Sequence, residues 1–298
     1  MRKSLVILST TFFLGFGAFA QSNHDVIYTS EGPKDVKIKE VGEFDIKYTH
    51  PNEETVYSMN KYLVKKIKFS SGREEVIEMP FKEINGLENK DDVFITYNPA
   101  EVTGLENKGE LFSKATGVTV FSSMSNVKNR SLDKIKAEAA MVGANVVLIA
   151  DAQSRGNYYG NQYTPSQSTQ TVLFGQAYSS KELETKEIRE KIKNKKVLYY
   201  QIHQLNRDDF SPSINQTIRY DQERNPVMNE VTKVEEIDNR LYVEIPGIKT
   251  RTGNLEVIRY KDGVLTLMEK HKNSVYNYIF LTEESEYMKR IPKVSGYF

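Results

Sequence analysis

Histidine is the first residue type to consider for chemistry in this chain, because its neutral imidazole is a common zinc ligand. The chain has four histidines, no HExxH pattern and no cysteine. The histidines are scattered along the sequence, at His24, His50, His203 and His271. Zinc, copper and nickel need several nitrogen or thiolate donors that converge on one point. The sequence therefore predicts no metal site and no bound cofactor.

A second pattern resembles half of a calcium-binding loop. Asp221, Glu223 and Asn225 occupy the first three oxygen-donor positions of such a loop. Pro226 replaces the glycine that the loop needs for its sharp turn, and Thr232 stands where a bidentate glutamate is required. We therefore expect an ordinary turn here.

Residue patterns for hydrolysis are equally sparse. No GxSxG occurs, and Ser70 lies in a Ser-Ser-Gly stretch that is typical of a hairpin turn. Adjacent acids, such as Asp208-Asp209 and Glu235-Glu236, point to opposite faces of a strand. The sequence predicts no catalytic residue. Two distant carboxylates brought together by the fold remain an open alternative, which would favour a hydrolase acting on an envelope polymer.

The stretch 137–152, "AEAAMVGANVVLIADA", predicts how the central part of the chain is built. Helical spacing of apolar residues predicts a helix that begins at Ser131 as N-cap and ends at Gly143, where a left-handed residue reverses the chain. Val146–Ile149 are too apolar for a half-exposed strand, which predicts a strand covered on both faces. Asn145 is interpreted as a hydrogen-bonding turn residue. These small and apolar residues indicate packing rather than an active site.

Around this stretch, the periodicity predicts a multi-domain, β-rich α+β protein. Alternating apolar residues and lysines over 24–80 predict a small antiparallel β-barrel, with Lys65, Lys66 and Lys68 on a solvated face. Residues 93–180 are predicted to form an α/β domain with a packed helix.

Two interpretations of the tyrosine-rich segment 156–170 stay open. It is either a mobile binding loop or a disordered hairpin loop without a ligand, and we expect Gly160 in it to tolerate substitution.

The last third of the chain is predicted to be a charged connecting helix followed by an antiparallel domain. Alternating Glu and Lys over 181–196 indicate a solvated helix. Residues 197–298 read as six or more strands that form a sandwich or an open barrel. Hairpin turns are expected at Asp238-Asn239, Asp262-Gly263 and Lys272-Asn273.

The first twenty residues are typical of a secretory signal peptide. Two cations precede an apolar run, and Ala18 and Ala20 form a small-x-small cleavage signal ahead of Gln21. Loss of Arg2 and Lys3 would change the formal net charge of the chain from +1 to −1. Without a basic excess the mature chain is a poor ligand for nucleic acid. The expected location is the periplasm or the exterior, with peripheral attachment to the outer membrane as one option and no transmembrane span after signal removal.

Two segments resemble known families. The sequence "SLDKIKAEAAMVGANVVLIADA", followed by "LFGQAYS", makes residues 93–180 similar to the small α/β fold of YbjQ-like domains and of the outer-membrane stress-sensor lipoprotein of the Rcs phosphorelay. Residues 24–80 resemble a small all-β module of Bacteroidetes envelope proteins. The resemblance implies an envelope domain with a βαβ unit that assembles or binds rather than catalyses. The absence of cysteine separates this chain from the disulfide-dependent architecture of the stress sensor.

Together these features favour a non-enzymatic cell-envelope protein with a binding or scaffolding role. Its expected partner is an envelope component or a small ligand, and the sequence also allows a homo-oligomer. A third class is a carrier, in which the C-terminal sheet would enclose an apolar ligand. That class requires a lined cavity of roughly 300 Å³ or more.

Overall fold

The computed structural model describes residues 24–119 and 121–291. Of these described residues, about 45% are strand and 16% helix, and the strands form open antiparallel or mixed sheets. The predicted signal peptide, with Ala18, Ala20 and Gln21, lies outside the described residues. Within them, no helix combines the length and the apolar character that a membrane crossing requires.

The N-terminal sheet is open, so the predicted β-barrel is wrong. Its strands run antiparallel in the order β4-β3-β2-β1-β5-β6. They are β1 Asp25–Thr29, β2 Gly32–Val41, β3 Asp45–Thr49, β4 Tyr57–Asn60, β5 Val64–Lys68 and β6 Glu74–Val76. A barrel would need β4 and β6 to pair, but β6 has three residues and the chain then leaves the sheet. Phe81 and Ile84, which follow, are buried in the cores of the central unit.

The central unit is a four-stranded sheet with one helix across it. Its strands are ordered β7-β9-β10-β8, and only β7 and β9 pair in parallel. The elements are β7 Phe94–Thr96, β8 Glu106–Thr116, α1 Met124–Met141, β9 Val146–Arg155 and β10 Gln170–Ser179. Because β8 and β9 both run antiparallel to β10, they are parallel to each other and α1 crosses between them. This is the βαβ unit that the sequence led us to expect.

Helix α1 begins eight residues earlier than the sequence indicated, with its N-cap at Ser123 instead of Ser131. Its N-cap is Ser123, whose side-chain oxygen accepts a hydrogen bond from the Asn126 amide. Ser131 is instead fully buried in the helix and its carbonyl accepts a 2.7 Å hydrogen bond from Ser113 Oγ. Val127 is also buried. The contacts of this first part of the helix with β8 extend α1 beyond the strongly periodic segment.

The C-terminal unit is a single eight-stranded sheet, not a sandwich. Seven strands lie in the order β12-β11-β18-β17-β16-β15-β14, with β13 paired beside β12 on β11. They are β11 Lys196–Asn206, β12 Ser213–Gln216, β13 Met228–Glu230, β14 Lys233–Ile237, β15 Arg240–Glu244, β16 Leu255–Lys261, β17 Val264–His271 and β18 Ser274–Leu281. The three predicted hairpin turns connect β14 to β15, β16 to β17 and β17 to β18, each with left-handed residues.

Helices cover parts of both faces of this sheet. Helix α2, Thr185–Ile192, buries Ile188 and Ile192 against one face, so the charged connecting segment is not wholly solvated. The short helix α3, Glu286–Lys289, follows β18. The other face receives α1, whose alanines share one core with residues from both the central and the C-terminal sheets. Asn277 on β18 donates a buried 2.7 Å hydrogen bond to the carbonyl of Met141. Thus α1 is held between two sheets.

Candidate functional site

The structure places the histidines in different surroundings. His50 lies in an aromatic cluster with Tyr48 and Tyr57, at ring-centroid distances of 5.5 and 5.0 Å. His203 is buried on β11 beside Gln201, and burial lowers its pKa although Glu88 opposes the shift. Within residues 24–119 and 121–291, no three potential metal-ligating side chains converge.

The other patterns singled out in the sequence stabilise turns. Asp221 Oδ1 accepts a 2.8 Å hydrogen bond from the amide of Asn225, which closes an exposed turn. The Ser70 amide donates a 2.8 Å hydrogen bond to Asp25, and the second oxygen of that buried carboxylate accepts one from the amide of Ile38. These polar groups are engaged by backbone amides, which gives each of them a structural role.

The adjacent acid pairs are likewise engaged separately. Asp209 Oδ2 accepts hydrogen bonds from the backbone and side-chain amides of Asn206. Glu235 forms a 2.7 Å ion pair with Lys233, whereas Glu236 accepts a 3.2 Å hydrogen bond from Thr185. The pairs therefore do not present two carboxyl groups to a common point.

Gly143 and Asn145 form a tightly bonded junction between α1 and β9. Gly143 has φ of 77°, and the amide of Ala144 reaches back to the carbonyl of Ala139 at 2.9 Å. The side-chain amide of Asn145 donates to the carbonyl of Lys82 at 3.0 Å and to Ser180 Oγ at 2.8 Å. Asn145 Oδ1 also accepts from the Ser180 amide. All polar atoms of the Asn145 side chain thus serve the junction.

Sequence reasoning missed a buried carboxylate on the C-terminal sheet, Glu269. It is only 1% exposed, and Tyr278 Oη donates a 2.6 Å hydrogen bond to it. The amide of Arg251 and both the amide and the hydroxyl of Thr252 also donate to it. Burial raises the pKa of Glu269, but these hydrogen bonds outweigh it and the net pKa is lowered. The signal was a glutamate at an inward position of β17, in phase with Leu265 and Leu267.

A second unpredicted group of charges lies where α1 meets the C-terminal sheet. Burial raises the pKa of Glu138, against the effects of the Phe112 amide that donates to it and of two nearby lysines. Burial lowers the pKa of both lysines, Lys134 and Lys270, while Glu138 opposes this. Lys134 also donates to the carbonyl of Arg207. The two lysines lower the pKa of the Glu138 carboxyl and no second acid contributes to its shift, which favours a structural role for this group.

The most exposed aromatic feature is residues 156–170, which we call the arm. It continues the β9–β10 hairpin beyond the sheet: Tyr158 and Gln167 exchange two 2.8 Å backbone hydrogen bonds. Asn161 and Thr164 close the tip, where the Asn161 side chain accepts the amides of Tyr163 and Thr164. The arm is therefore a hydrogen-bonded hairpin, and the choice between a mobile binding loop and a loop without a ligand stays a prediction.

Exposed apolar side chains surround the arm. Phe121, which is 81% exposed, lies 6.1 Å from the ring of Tyr159, and Tyr163 at the tip is 86% exposed. Beside them is an open depression of about 470 Å³, lined by Val118, Ser122, Asn126, Asn129 and Arg130. We call the arm together with Val118, Phe121 and Met124 the aromatic surface.

A second depression lies on the C-terminal sheet and is too small for a ligand. It holds about 30 Å³ and is lined by Tyr199, Thr217, Arg219, Val227, Asn229 and Ile248. Tyr199 stacks on Phe280 at 5.1 Å, and both rings belong to or lie against the core of this face. Desolvation raises the pKa of Tyr199 to about 12. Packed aromatic side chains thus border this small depression.

The folded chain is a β-rich protein of several open sheets whose most prominent surface is an exposed aromatic hairpin. Comparison with protein-family models, with curated proteins and with solved structures gives no match for this chain.

Proposed function

We propose that this chain is an exported, non-enzymatic binding or scaffolding protein of the bacterial cell envelope, and that it binds through the aromatic surface. The resemblance of residues 93–180 to envelope domains and the signal-like first twenty residues support the location. The observation that carries the binding role is the exposure of Tyr159 and Tyr163 on the arm and of Phe121 beside it.

The composition of the aromatic surface is that of a recognition surface. The arm consists only of Tyr, Gln, Asn, Ser, Thr, Gly and Pro, with no charged residue in fifteen positions. Tyrosine offers a large contact area with little loss of side-chain entropy, and the amides and hydroxyls supply adaptable hydrogen bonds. Interfaces are also enriched in Phe, Met and Arg and depleted of Lys and acids. Phe121, Met124 and Arg130 beside the arm follow this pattern.

Helix α1 connects the aromatic surface to the hydrophobic core. The first turn of α1 lies next to the arm, since a Cβ built on Gly156 would be 3.8 Å from the methyl group of Met124. The last turn of the same helix is fixed between the two sheets through Met141 and Asn277. A rigid helix that joins the arm to the largest core suits a protein that must hold a partner in a defined orientation.

The two alternative functions lack a supporting observation in the described part of the chain. A hydrolase would be favoured by carboxylates that converge in a cleft, but the partly buried Glu138 lies near lysines and the buried Glu269 lies among hydrogen-bond donors. A carrier would be favoured by a cavity of roughly 300 Å³. The depression on the C-terminal sheet is about 30 Å³.

Cosedimentation with a bacterial envelope fraction tests the binding role. We expect Tyr159→Ser with Tyr163→Ser to lower the bound fraction about tenfold, because each aromatic anchor of an interface contributes on the order of 1 kcal/mol or more. The matched control is Tyr220→Ser with Tyr287→Ser, two tyrosines exposed elsewhere. Equal binding of the two double variants would refute the role of the aromatic surface.

Intact-mass measurement of the exported protein tests the location. A mature chain that begins at Gln21 and is recovered from the periplasm or medium is the expected result. A membrane-bound chain that retains residues 1–20 would contradict export with signal removal.

A further inference from the structure

The central sheet has a long free edge on β9. Strand β7 pairs with β9 only at Val146, Val147 and Leu148. The register with β10 shifts at Ala150, and from Asp151 to Arg155 the strand continues along β10; all six residues are exposed. An unpaired edge of this length is a template for another strand, and natural proteins normally protect such edges.

The opposite edge of the sheet, on β8, is protected by side chains of α1. There the amide of Phe112 donates to Glu138 at 3.3 Å, and Arg130 donates to the carbonyl of Thr116 at 3.1 Å. Side chains of α1 thus occupy backbone groups of β8. Across the described residues, no hydrogen bond from outside β10 reaches the backbone of Ala150–Arg155. The β9 edge also lacks the lysine or proline that would discourage pairing.

The sheet register identifies which backbone groups are free. The amide of Phe112 donates to Glu138 and therefore points away from β10. Phe174 on β10 is paired with Phe112 on one side and with Asp151 of β9 on the other. Since Phe174 does not bond to Phe112, its amide and carbonyl groups point towards Asp151. Backbone groups alternate along a strand. Ala152 and Ser154 therefore direct their amide and carbonyl groups to the free edge.

The charges on this edge are self-complementary. Between Glu138 and Lys181 the chain carries only two charged residues, Asp151 and Arg155, and both lie on this edge. They are of opposite sign and equidistant from Gln153. Successive side chains alternate between faces, so Asp151, Gln153 and Arg155 share one face of the sheet.

We propose that the β9 edge pairs antiparallel with the same edge of a second copy of this chain, about a two-fold axis through Gln153. In that register Asp151 lies opposite the copy's Arg155, and Arg155 lies opposite the copy's Asp151. Ala152 faces the copy's Ser154, so the outward amides and carbonyls of both chains are satisfied. The two central sheets join into one of eight strands with a closed, isologous interface.

Sedimentation equilibrium of the mature chain tests the proposal, with wild type expected to form a dimer. Asp151→Arg places two arginines opposite each other at both ends of the interface, and we expect the dissociation constant to rise about tenfold. The charge swap Asp151→Arg with Arg155→Asp should restore it to within about threefold of wild type. Asp133→Arg, an exposed acid on α1, is the control and should change nothing.

Ser154→Pro tests the backbone pairing itself. The Ser154 amide faces the free edge, so proline removes no backbone hydrogen bond within the monomer. It does remove the 3.0 Å hydrogen bond between Ser154 Oγ and Thr171 Oγ1, so the melting temperature should match that of Ser154→Ala, which loses the same side-chain bond and keeps the amide. The dimer should be lost because the copy's Ala152 loses its donor. Three outcomes would each overturn the proposal. The wild type could stay monomeric at protein concentrations about 100-fold above a micromolar. The charge swap could fail to restore the association that Asp151→Arg weakens, or Ser154→Pro could remain a dimer.

The proposed dimer goes beyond the proposed function, and the two can be disproved independently. Edge variants report on association of the chain with itself, whereas the tyrosine variants report on envelope binding. A wild-type monomer whose envelope binding depends on Tyr159 and Tyr163 would reject the dimer and leave the binding role standing.

Discussion

Two glycines of the central unit have nearly the same backbone conformation in very different surroundings. Gly143 has φ of 77° and Gly160 has φ of 75°. A Cβ on Gly143 would lie 3.2 Å from Ile258 Cβ, and a Cβ on Gly160 would lie 2.7 Å from two backbone atoms of the arm tip. The expectation that Gly160 sits in a tolerant loop is therefore wrong in its local geometry.

The difference lies in what each glycine can disturb. Ile258 belongs to the C-terminal sheet, so a side chain at Gly143 pushes apart two sheets and the helix between them. The atoms around Gly160 belong to an exposed arm, which can open without unfolding the core. Similar local strain at the two glycines should therefore lower the free energy of global unfolding by different amounts. Strain at Gly143 acts on contacts that break only when the whole protein unfolds, whereas strain at Gly160 can be relieved by local opening of the arm.

The largest expected effect is that of Gly143→Val. A branched side chain in a left-handed conformation and in contact with Ile258 should lower the free energy of unfolding by about 3 kcal/mol or more. Denaturant unfolding measures it. Gly253→Val is the matched control, since Gly253 has φ of 81° and nothing within 4 Å of its built Cβ. Equal losses for the two variants would show that packing at Gly143 is unimportant.

Glu269→Gln should have the next largest effect, about 2 kcal/mol at pH 7, because it weakens hydrogen bonds to a buried charge. The pKa of Glu269 is lowered on folding. Its contribution is therefore present above the unfolded-state value of about 4.3 and is lost as pH falls through the folded-state pKa. Unfolding curves at several pH values should show the two proteins converging in acid. A constant difference down to the lowest accessible pH would contradict this.

Asn277→Ala should cost about 1 to 2 kcal/mol. It removes the 2.7 Å hydrogen bond to Met141 and leaves a buried carbonyl at the end of α1 without that donor. Thermal unfolding measures the loss. Asn254→Ala on an exposed loop serves as the control, and a similar change in both would mean that the α1–β18 bond contributes nothing.

Gly160→Val should have the smallest effect on global unfolding, below about 0.5 kcal/mol. Local strain should instead appear as faster proteolysis within the arm, which limited digestion followed by mass measurement detects. Replacement of 156–170 by a short turn should also leave the unfolding transition in place. A cooperative loss of stability in either variant would mean that the arm belongs to the core.

Several local features of this protein follow from the sequence alone. Gly143 ends a run of small helical residues, and the Asp-Gly, Asp-Asn and Lys-Asn pairs fall between alternating strands; left-handed residues at these positions define turns through short-range sterics. The apolar run at Val146–Ile149 also predicts its burial on both faces correctly. These signals are local, so neighbouring residues suffice to read them.

The closure of sheets and the neighbours of each face were decided only by the tertiary structure. The alternation of apolar and polar residues over 24–80 specifies strands, but it does not specify whether the two edge strands of the sheet pair with each other. The prediction of a closed barrel was therefore wrong. The alanines of α1 indicate close packing but do not say that a second sheet, carrying Ile258 and Asn277, lies on the other side. The burial of Glu269 has the same origin: Arg251, Thr252 and Tyr278 are not its neighbours in sequence, and only folding brings together the donors that make a buried carboxylate stable.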